Sequence, residues 1–238
     1  PSALAAALTG KTPYYGLHIV KNRVPQIDFH IDDPAAAKSW TNAHYGALGI
    51  IAGAISGNRI PFFTDIRPNR DMLKSLGAAM AASGAVALYH VNEITPETRF
   101  PFFKKHIEED DREVVEIEVA EVNELFGSLE ADVIALGCPH LSEEELEELA
   151  FLLENRRVVM PFYIFAAEEL RAKHPDLCNK ILSSGAKIVP DTCMVVSPLM
   201  DKAGVVMTNS GKAFTYLPGM CKATPLLGTL EECVRAGC

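Results

Sequence analysis

The stretch ADVIALGCPHLSEEELEEL, Ala131 to Leu149, decides the fold. Its first part, ADVIALG, is a short apolar run closed by glycine and reads as a fully buried strand. Its second part opens on Ser142 with Glu145 three residues later, the reciprocal cap of a helix start. Leu146, Leu149, Leu152 and Leu153 then recur at helical spacing. Strand and helix meet at Gly137-Cys138-Pro139-His140, where a thiol occupies a corner that almost any small residue could turn.

The same unit repeats outward. VVEIEV (Val114 to Val119) alternates as a half-buried strand, and RVVMPFYIF and AKIVPDT follow as further strands. Between these two, AAEELRAKHPDLCNKILSSG is helical in pattern, with a break expected at Pro175 and a stop at Gly185. Alternation of this kind predicts an α/β fold with mostly parallel sheets covered by helices. Ligands of such sheets bind beyond the carboxyl ends of the strands. The residues that follow strands read GCPH, PDTC and, after AGVVM, TNSGKAF, and these three corners form the candidate site.

Toward the N-terminus the pattern is less regular. Asn42 to Ile66 mixes four glycines with alanine and isoleucine, which predicts a small-residue helix packed closely on a neighbour, then a strand through IPFFTDI. DMLKSLGAAMAASG reads as an Ala-rich helix running into a strand at AVALYHV, which carries His90. The Pro- and charge-rich segment Glu93 to Glu113 marks a boundary, giving an Ala/Gly-rich α/β region at 1–110 and a parallel α/β domain at 111–238. No internal repeat is present.

The totals narrow the function. With 238 residues, a net charge of -9 and 48% hydrophobic residues, the chain can bury a substantial core, while its field repels nucleic acid and anionic membrane. A small ligand is expected. No apolar segment approaches the roughly 20 residues that span a bilayer, and no secretory signal opens the chain, so a cytoplasmic enzyme is expected. Cys138, Cys178, Cys193, Cys221, Cys233 and Cys238 are too sparse for a disulfide scaffold and include no C-x-x-C pair. The chain opens at Pro1, without Met, into the apolar PSALAAALTG, which reads as a processed chain or a fragment lacking an N-terminal portion.

Single motifs are weaker. NSGKA is no Walker A, because Val206 stands where its first glycine belongs and Ala213 follows Lys212. Asn209, Ser210 and the Gly211 backbone could still donate to an anion beside Lys212, although a surface turn with a solvated lysine is the more ordinary reading. The glycines of GALGIIAG lack dinucleotide-loop spacing and read as packing. His18, His44, His90, His106, His140 and His174 form no zinc-hydrolase pattern. EEDDRE and SEEELEEL read as solvated faces. Cys178, Cys233 and Cys238 read as buried or incidental thiols, and Cys221 stays open. Cys138 and Cys193 differ: both stand at strand ends beside chain-turning residues, a pattern suited to shared metal ligation or redox chemistry.

PSALAAALTGKTPYYGLHIVKNR, GALG, LGAAMAASGAVALYHVNEITPE, LGCPHLSEEELEELA, PDTC, TNSGKAFTYLPG and GTLEECVRAG together resemble the large subunit of the aconitase X family over nearly the whole chain. The resemblance implies an aconitase-like three-layer α/β/α fold and an iron-sulfur hydro-lyase. Its implied reaction is dehydration of (R)-5-phosphomevalonate to trans-anhydromevalonate 5-phosphate in the archaeal mevalonate pathway to isoprenoids, with dehydration of cis-3-hydroxy-L-proline as the alternative. Phosphomevalonate is preferred because the chain stops after VRAGC without a fused swivel domain. Cys138 and Cys193 match two of three cysteines that hold a cluster, expected to be 4Fe-4S, with the third expected upstream of Pro1. The base is expected from a small swivel-domain subunit, so no catalytic residue is assigned on this chain. Ser2, Lys11, His18, His90, Asn209, Ser210 and Lys212 are expected around the anionic substrate, and His140 is expected to orient the cluster loop. A reading of another class is a non-catalytic α/β fragment that binds an anion or a partner chain.

Overall fold

In the computed structural model, which describes residues 2–109, 111–128, 130–201 and 203–238, every strand pairing is parallel. The first half runs α1 (Ser2–Thr9), β1 (Ile27–Ile31), α2 (Asn42–Ser56), β2 (Pro61–Phe63), α3 (Arg70–Gly84), β3 (His90–Val91), α4 (Pro101–Glu109), β4 (Glu113–Ile117) and α5 (Val119–Glu124). Its sheet has the order β3-β2-β1-β4. The second half runs β5 (Val133–Leu136), α6 (Glu143–Leu152), β6 (Phe162–Ala166), α7 (Glu168–Lys173), α8 (Pro175–Ser183), β7 (Lys187–Pro190), β8 (Val205–Thr208), α9 (Gly211–Cys221), β9 (Thr224–Leu227) and α10 (Leu230–Gly237). Its sheet has the order β7-β6-β5-β8-β9.

Strand periodicity builds the layers of the second sheet. Ile134 and Leu136 of β5 pack with Leu146 and Leu149 of α6, Ile181 of α8 and Val234 of α10 on one face. Val133 and Ala135 pack with Ala213 and Leu217 of α9 on the other. Both faces are therefore covered, which is why ADVIALG carries no polar alternation. In the first half, α2 and α3 lie close enough that a Cβ on Gly49 would come 2.6 Å from the Leu76 carbonyl oxygen. The glycines of Asn42–Ser56 thus serve helix packing, as expected. Among the described residues, no helix is long and apolar enough to cross a membrane.

The structure departs from the sequence reading in several places. β4 pairs with β1 from Ile27↔Glu113 to Ile31↔Ile117, so the change of sheet falls between α5 and β5 and the boundary expected at 110/111 moves. Arg112 holds β4 there: its Nε and Nη2 each donate to the Asp28 carboxylate at 2.8 Å. Asp110 and Pro1 lie outside the described residues. β1 (IDFHI) went unread because Asp28 and His30 interrupt its apolar run, yet Ile27, Phe29 and Ile31 are buried in alternation. β9 went unread because of Pro225, which a sheet-edge strand tolerates. Of AVALYHV, only His90 and Val91 pair, with Phe62 and Phe63. The break at Pro175 separates α7 from α8 at His174, and Gly185 adopts φ +100°. SEEELEEL is not wholly a solvated face, because Glu145 is buried.

Candidate functional site

In the second sheet the chain moves from β5 to β6 and β7 on one side, then returns to place β8 and β9 on the other. The carboxyl ends of β5 and β8 therefore flank a topological switch point, the usual crevice of a parallel sheet. GCPH follows β5 and TNSGK follows β8, so both corners open there.

The β5 corner is built around Gly137. Its φ is +96°, and a Cβ would meet the Phe165 carbonyl oxygen at 2.1 Å, so no other residue fits. Cys138 follows, buried and joined to Pro139 by a cis peptide bond. The Leu141 N–H then donates to the Phe165 carbonyl at 3.2 Å. At the β8 corner, Asn209 and Ser210 are buried, which removes the surface-turn reading of NSGKA. The Ser210 hydroxyl accepts from the Ala213 N–H at 3.0 Å as the cap of α9 and donates to the Cys138 carbonyl. At the β7 corner, the Asp191 N–H donates to Ala166 and its side chain accepts from the Glu168 N–H at 2.9 Å, leaving Cys193 exposed at the start of a 3-10 turn.

These three corners communicate. Burial pushes the Cys138 thiol up to about 11; Lys212 opposes the rise, and the Cys193 thiol adds to it. His140 Nε2 stands 2.7 Å from the Thr192 carbonyl, which ties the β5 corner to the β7 corner. Cys221 lies at the end of α9, buried, with its thiol donating to the Val195 carbonyl at 3.3 Å. Burial raises it as well, with smaller contributions from Asp201 and Cys193.

The first half of the chain closes one side of this crevice. Lys74 Nζ lies 2.6 Å from Glu145 Oε2, 3.1 Å from Asp71 Oδ1 and 3.3 Å from the His140 carbonyl. Asn42 donates to Glu145 Oε1 at 2.9 Å, and the Ser142 hydroxyl donates to Asp71 at 2.8 Å. A Cβ on Gly211 would meet the Gly46 carbonyl oxygen at 2.3 Å, so α2 presses on the N-terminus of α9. Asn42, Lys74, Cys138, Glu145, Asn209 and Ser210 line one cavity of about 20 Å³. Asn209 also faces a neighbouring cavity of about 210 Å³, bordered by Asp71, Glu145 and Glu148. Burial raises the Glu148 carboxyl, helped by Glu231, Glu145 and Asp71.

The structure thus joins Ser210 to the Cys138 corner, lines one cavity with Cys138, Asn209 and Ser210, and ties that corner through His140 to the residue before Cys193. None of the other expected residues lines that cavity. Ser2, Lys11 and His18 are exposed, α1 buries no residue, and His18 Nε2 meets Thr12 Oγ1 at 3.1 Å. His90 is wholly buried, donates from Nε2 to the Arg23 carbonyl at 2.7 Å and meets Phe103 edge-on. Sequence reasoning missed Asn42, Asp71 and Lys74, whose partners in the second half lie 66 to 103 positions away along the chain. Glu145 had a signal in its helix cap, but its burial had none.

Among the described residues, no group of three His, Cys, Asp or Glu side chains could hold a metal ion. Cys138 and Cys193 offer two thiol donors, which by themselves are an incomplete set for a metal centre.

Comparison with known proteins gives these chemical features a context. The aconitase X second-domain model matches residues 18–127, and the aconitase X third-domain model matches residues 131–238. The chain is 47% identical over 238 residues to the phosphomevalonate dehydratase large subunit of Methanosarcina mazei, covering 98% of this chain and 57% of that protein. It is 31% identical over 254 residues to a cis-3-hydroxy-L-proline dehydratase of Hypocrea jecorina, covering 99% of this chain and 42% of that one. The crystal structure of Thermococcus kodakaraensis aconitase X (holo-form) superposes with a TM-score of 0.85 at 35% identity, covering 100% of this chain and 61% of that chain. The chain therefore spans less than two thirds of the length of these relatives.

Proposed function

The chain belongs to the aconitase X family, and from that premise we propose that it forms part of a hydro-lyase that removes water from (R)-5-phosphomevalonate. The observation that carries this reading is that the Ser210 hydroxyl and Asn209 meet the Cys138 corner at the carboxyl edge of one parallel sheet, while His140 ties that corner to the loop of Cys193. Relatives named phosphomevalonate dehydratase large subunit support the substrate. The reaction breaks a C–O bond and a C–H bond on adjacent carbons, forms a C=C bond and releases water, giving trans-anhydromevalonate 5-phosphate.

Cys138 and Cys193 would hold an iron-sulfur cluster, with the remaining ligand or ligands supplied from outside the described residues. Such a cluster, when bound, supplies a Lewis-acidic iron that makes hydroxide a better leaving group. The chain's own residues bind and orient. Lys212 offers a cation to a phosphate or carboxylate, and the buried Asn209 amide offers a directional hydrogen bond toward the neighbouring cavity of about 210 Å³. Ser210 keeps its hydroxyl on the Cys138 carbonyl and the α9 cap, so it acts on the corner and not on the proton to be removed. A small swivel-domain subunit is the proposed source of the base, a partner suggested by the relatives' designation as large subunits. The six unpaired cysteines suit a reducing compartment, and we place the protein in the cytoplasm.

One observation favours the second substrate. The cavity beside Asn209 is bordered by Asp71, Glu145 and Glu148, an acidic lining better matched to the ammonium of cis-3-hydroxy-L-proline than to a phosphate. Anaerobic iron reconstitution with the small subunit, followed by proton NMR of each substrate, separates the readings. An alkene product from phosphomevalonate is expected. Turnover of the proline derivative alone would overturn the substrate, and anion binding unaffected by Cys138→Ser and Cys193→Ser, without turnover of either, would leave the non-catalytic reading.

A further inference from the structure

Cys138 and Cys193 follow β5 and β7, and β6 lies between those strands. At the spacing of adjacent strands, β5 and β7 run about 10 Å apart. Two thiolates that hold one metal centre, whether on a single ion or on neighbouring irons of a cluster, must approach more closely than that. The two corners therefore have to lean toward one another over the end of β6, and something must hold them there.

His140 spans that gap. It lies two residues beyond Cys138, and its ring reaches the carbonyl of Thr192, the residue immediately before Cys193, at 2.7 Å. A carbonyl only accepts, so Nε2 carries the proton. Among the described residues, no other hydrogen bond joins the Gly137–Leu141 corner to the Asp191–Cys193 corner; the latter is otherwise tied to the β6 end through Ala166 and Glu168. His140 is itself anchored, because its carbonyl accepts from Lys74 Nζ at 3.3 Å and the next N–H is bonded to Phe165.

We propose that His140 is a positioning residue whose donation from Nε2 to the Thr192 carbonyl sets the spacing of Cys138 and Cys193, and through it the affinity of the pair for a thiophilic metal. The proposal rests on the reading of these cysteines as metal ligands. Its length requirement is specific: glutamine presents an N–H at similar reach, asparagine falls short, and alanine offers none.

The test is titration of the reduced, metal-free chain with Cd²⁺, followed by the thiolate-to-cadmium ultraviolet band, with melting curves to establish that each variant is folded. His140→Ala and His140→Asn are expected to weaken Cd²⁺ binding about 10–100-fold, the usual effect of losing a hydrogen bond that supports a ligand. His140→Gln is expected to recover most of it. Should His140→Ala fail to fold, the Asn and Gln pair still reads the reach of the donor in polar variants. Wild-type affinity in folded His140→Asn, or equal loss in Asn and Gln, overturns the role of His140 alone. A wild-type chain that binds Cd²⁺ no better than the Cys138→Ser/Cys193→Ser double variant removes the metal-ligand reading, and the positioning role with it.

Discussion

Single residues in this chain carry function or stability according to which of their polar atoms find partners. His90 resembles a substrate ligand in the sequence, but in the fold it is an interior group whose Nδ1 has no partner. Burial lowers its proton affinity below the ordinary 6.5, against smaller raising contributions from the Arg23 carbonyl and Glu97. Below that value the unfolded chain takes up a proton that the folded chain refuses, so stability falls as pH drops through the ordinary histidine range and is fully present above it. His90→Gln should flatten the dependence of Tm on pH between about 7.5 and 5.5 relative to wild type. Parallel curves for the two proteins would show that His90 stays protonated on folding. Glu145 makes the opposite case: a carboxylate from an apparently solvated run that accepts from Asn42, Lys74 and the Ser142 N–H. It was legible as a helix cap and illegible as a bridge, because a cap is local and a bridge depends on where the other sheet lies.

At the scale of elements, small residues decide how closely helices carry the site. Gly46 of α2 lies against Gly211, the first residue of α9, and a Cβ there would stand 2.8 Å from the Gly211 nitrogen. Gly46→Ala should push α9 away from α2, cost about 1–3 kcal/mol as an overpacked contact and disturb Ser210 and Lys212 at the start of α9. Differential scanning calorimetry should record a lower Tm, and Cd²⁺ affinity should fall with it. Gly57→Ala makes the comparison, because a Cβ there meets nothing within 4 Å and its cost comes from φ +59° alone. It should lower Tm without touching the metal affinity, and an effect of Gly46→Ala confined to Tm would separate α2 packing from the site. The patterns of α2, α3 and α6 were readable because each buries one face; β1 was not, because Asp28 and His30 obscure a strand whose ladder and ion pair become visible only beside β4.

The molecule as a whole joins two parallel sheets through helices that follow their carboxyl ends. Asn42 precedes the body of α2, Asp71 and Lys74 begin α3, and Ser142 and Glu145 cap α6, so the network between the halves stands beside the Cys138 corner. Leu227 of β9 joins the core of the first half, and Phe126 bridges to it. Residues 131–238 produced alone should therefore melt below the intact chain and regain Tm when mixed with residues 2–127. Equal melting of the isolated and joined halves would mean that the interface contributes nothing to stability. The net charge of -9 acts at this scale too, and Lys212 in the first turn of α9 is a local exception to it.

The sequence by itself determined the alternating parallel architecture, the strand-end positions of Cys138 and Cys193, the helix caps and the glycine-lined packing of α2, because each depends on neighbours within a few residues or on the period of one element. Only the tertiary structure decided which corners share a crevice, that His90 faces an interior instead of it, that Glu145 is buried, and that His140 reaches Thr192. Those facts depend on strand order and on how two sheets meet. Residues 66 to 103 positions apart become neighbours there, and no local pattern encodes their separation in space.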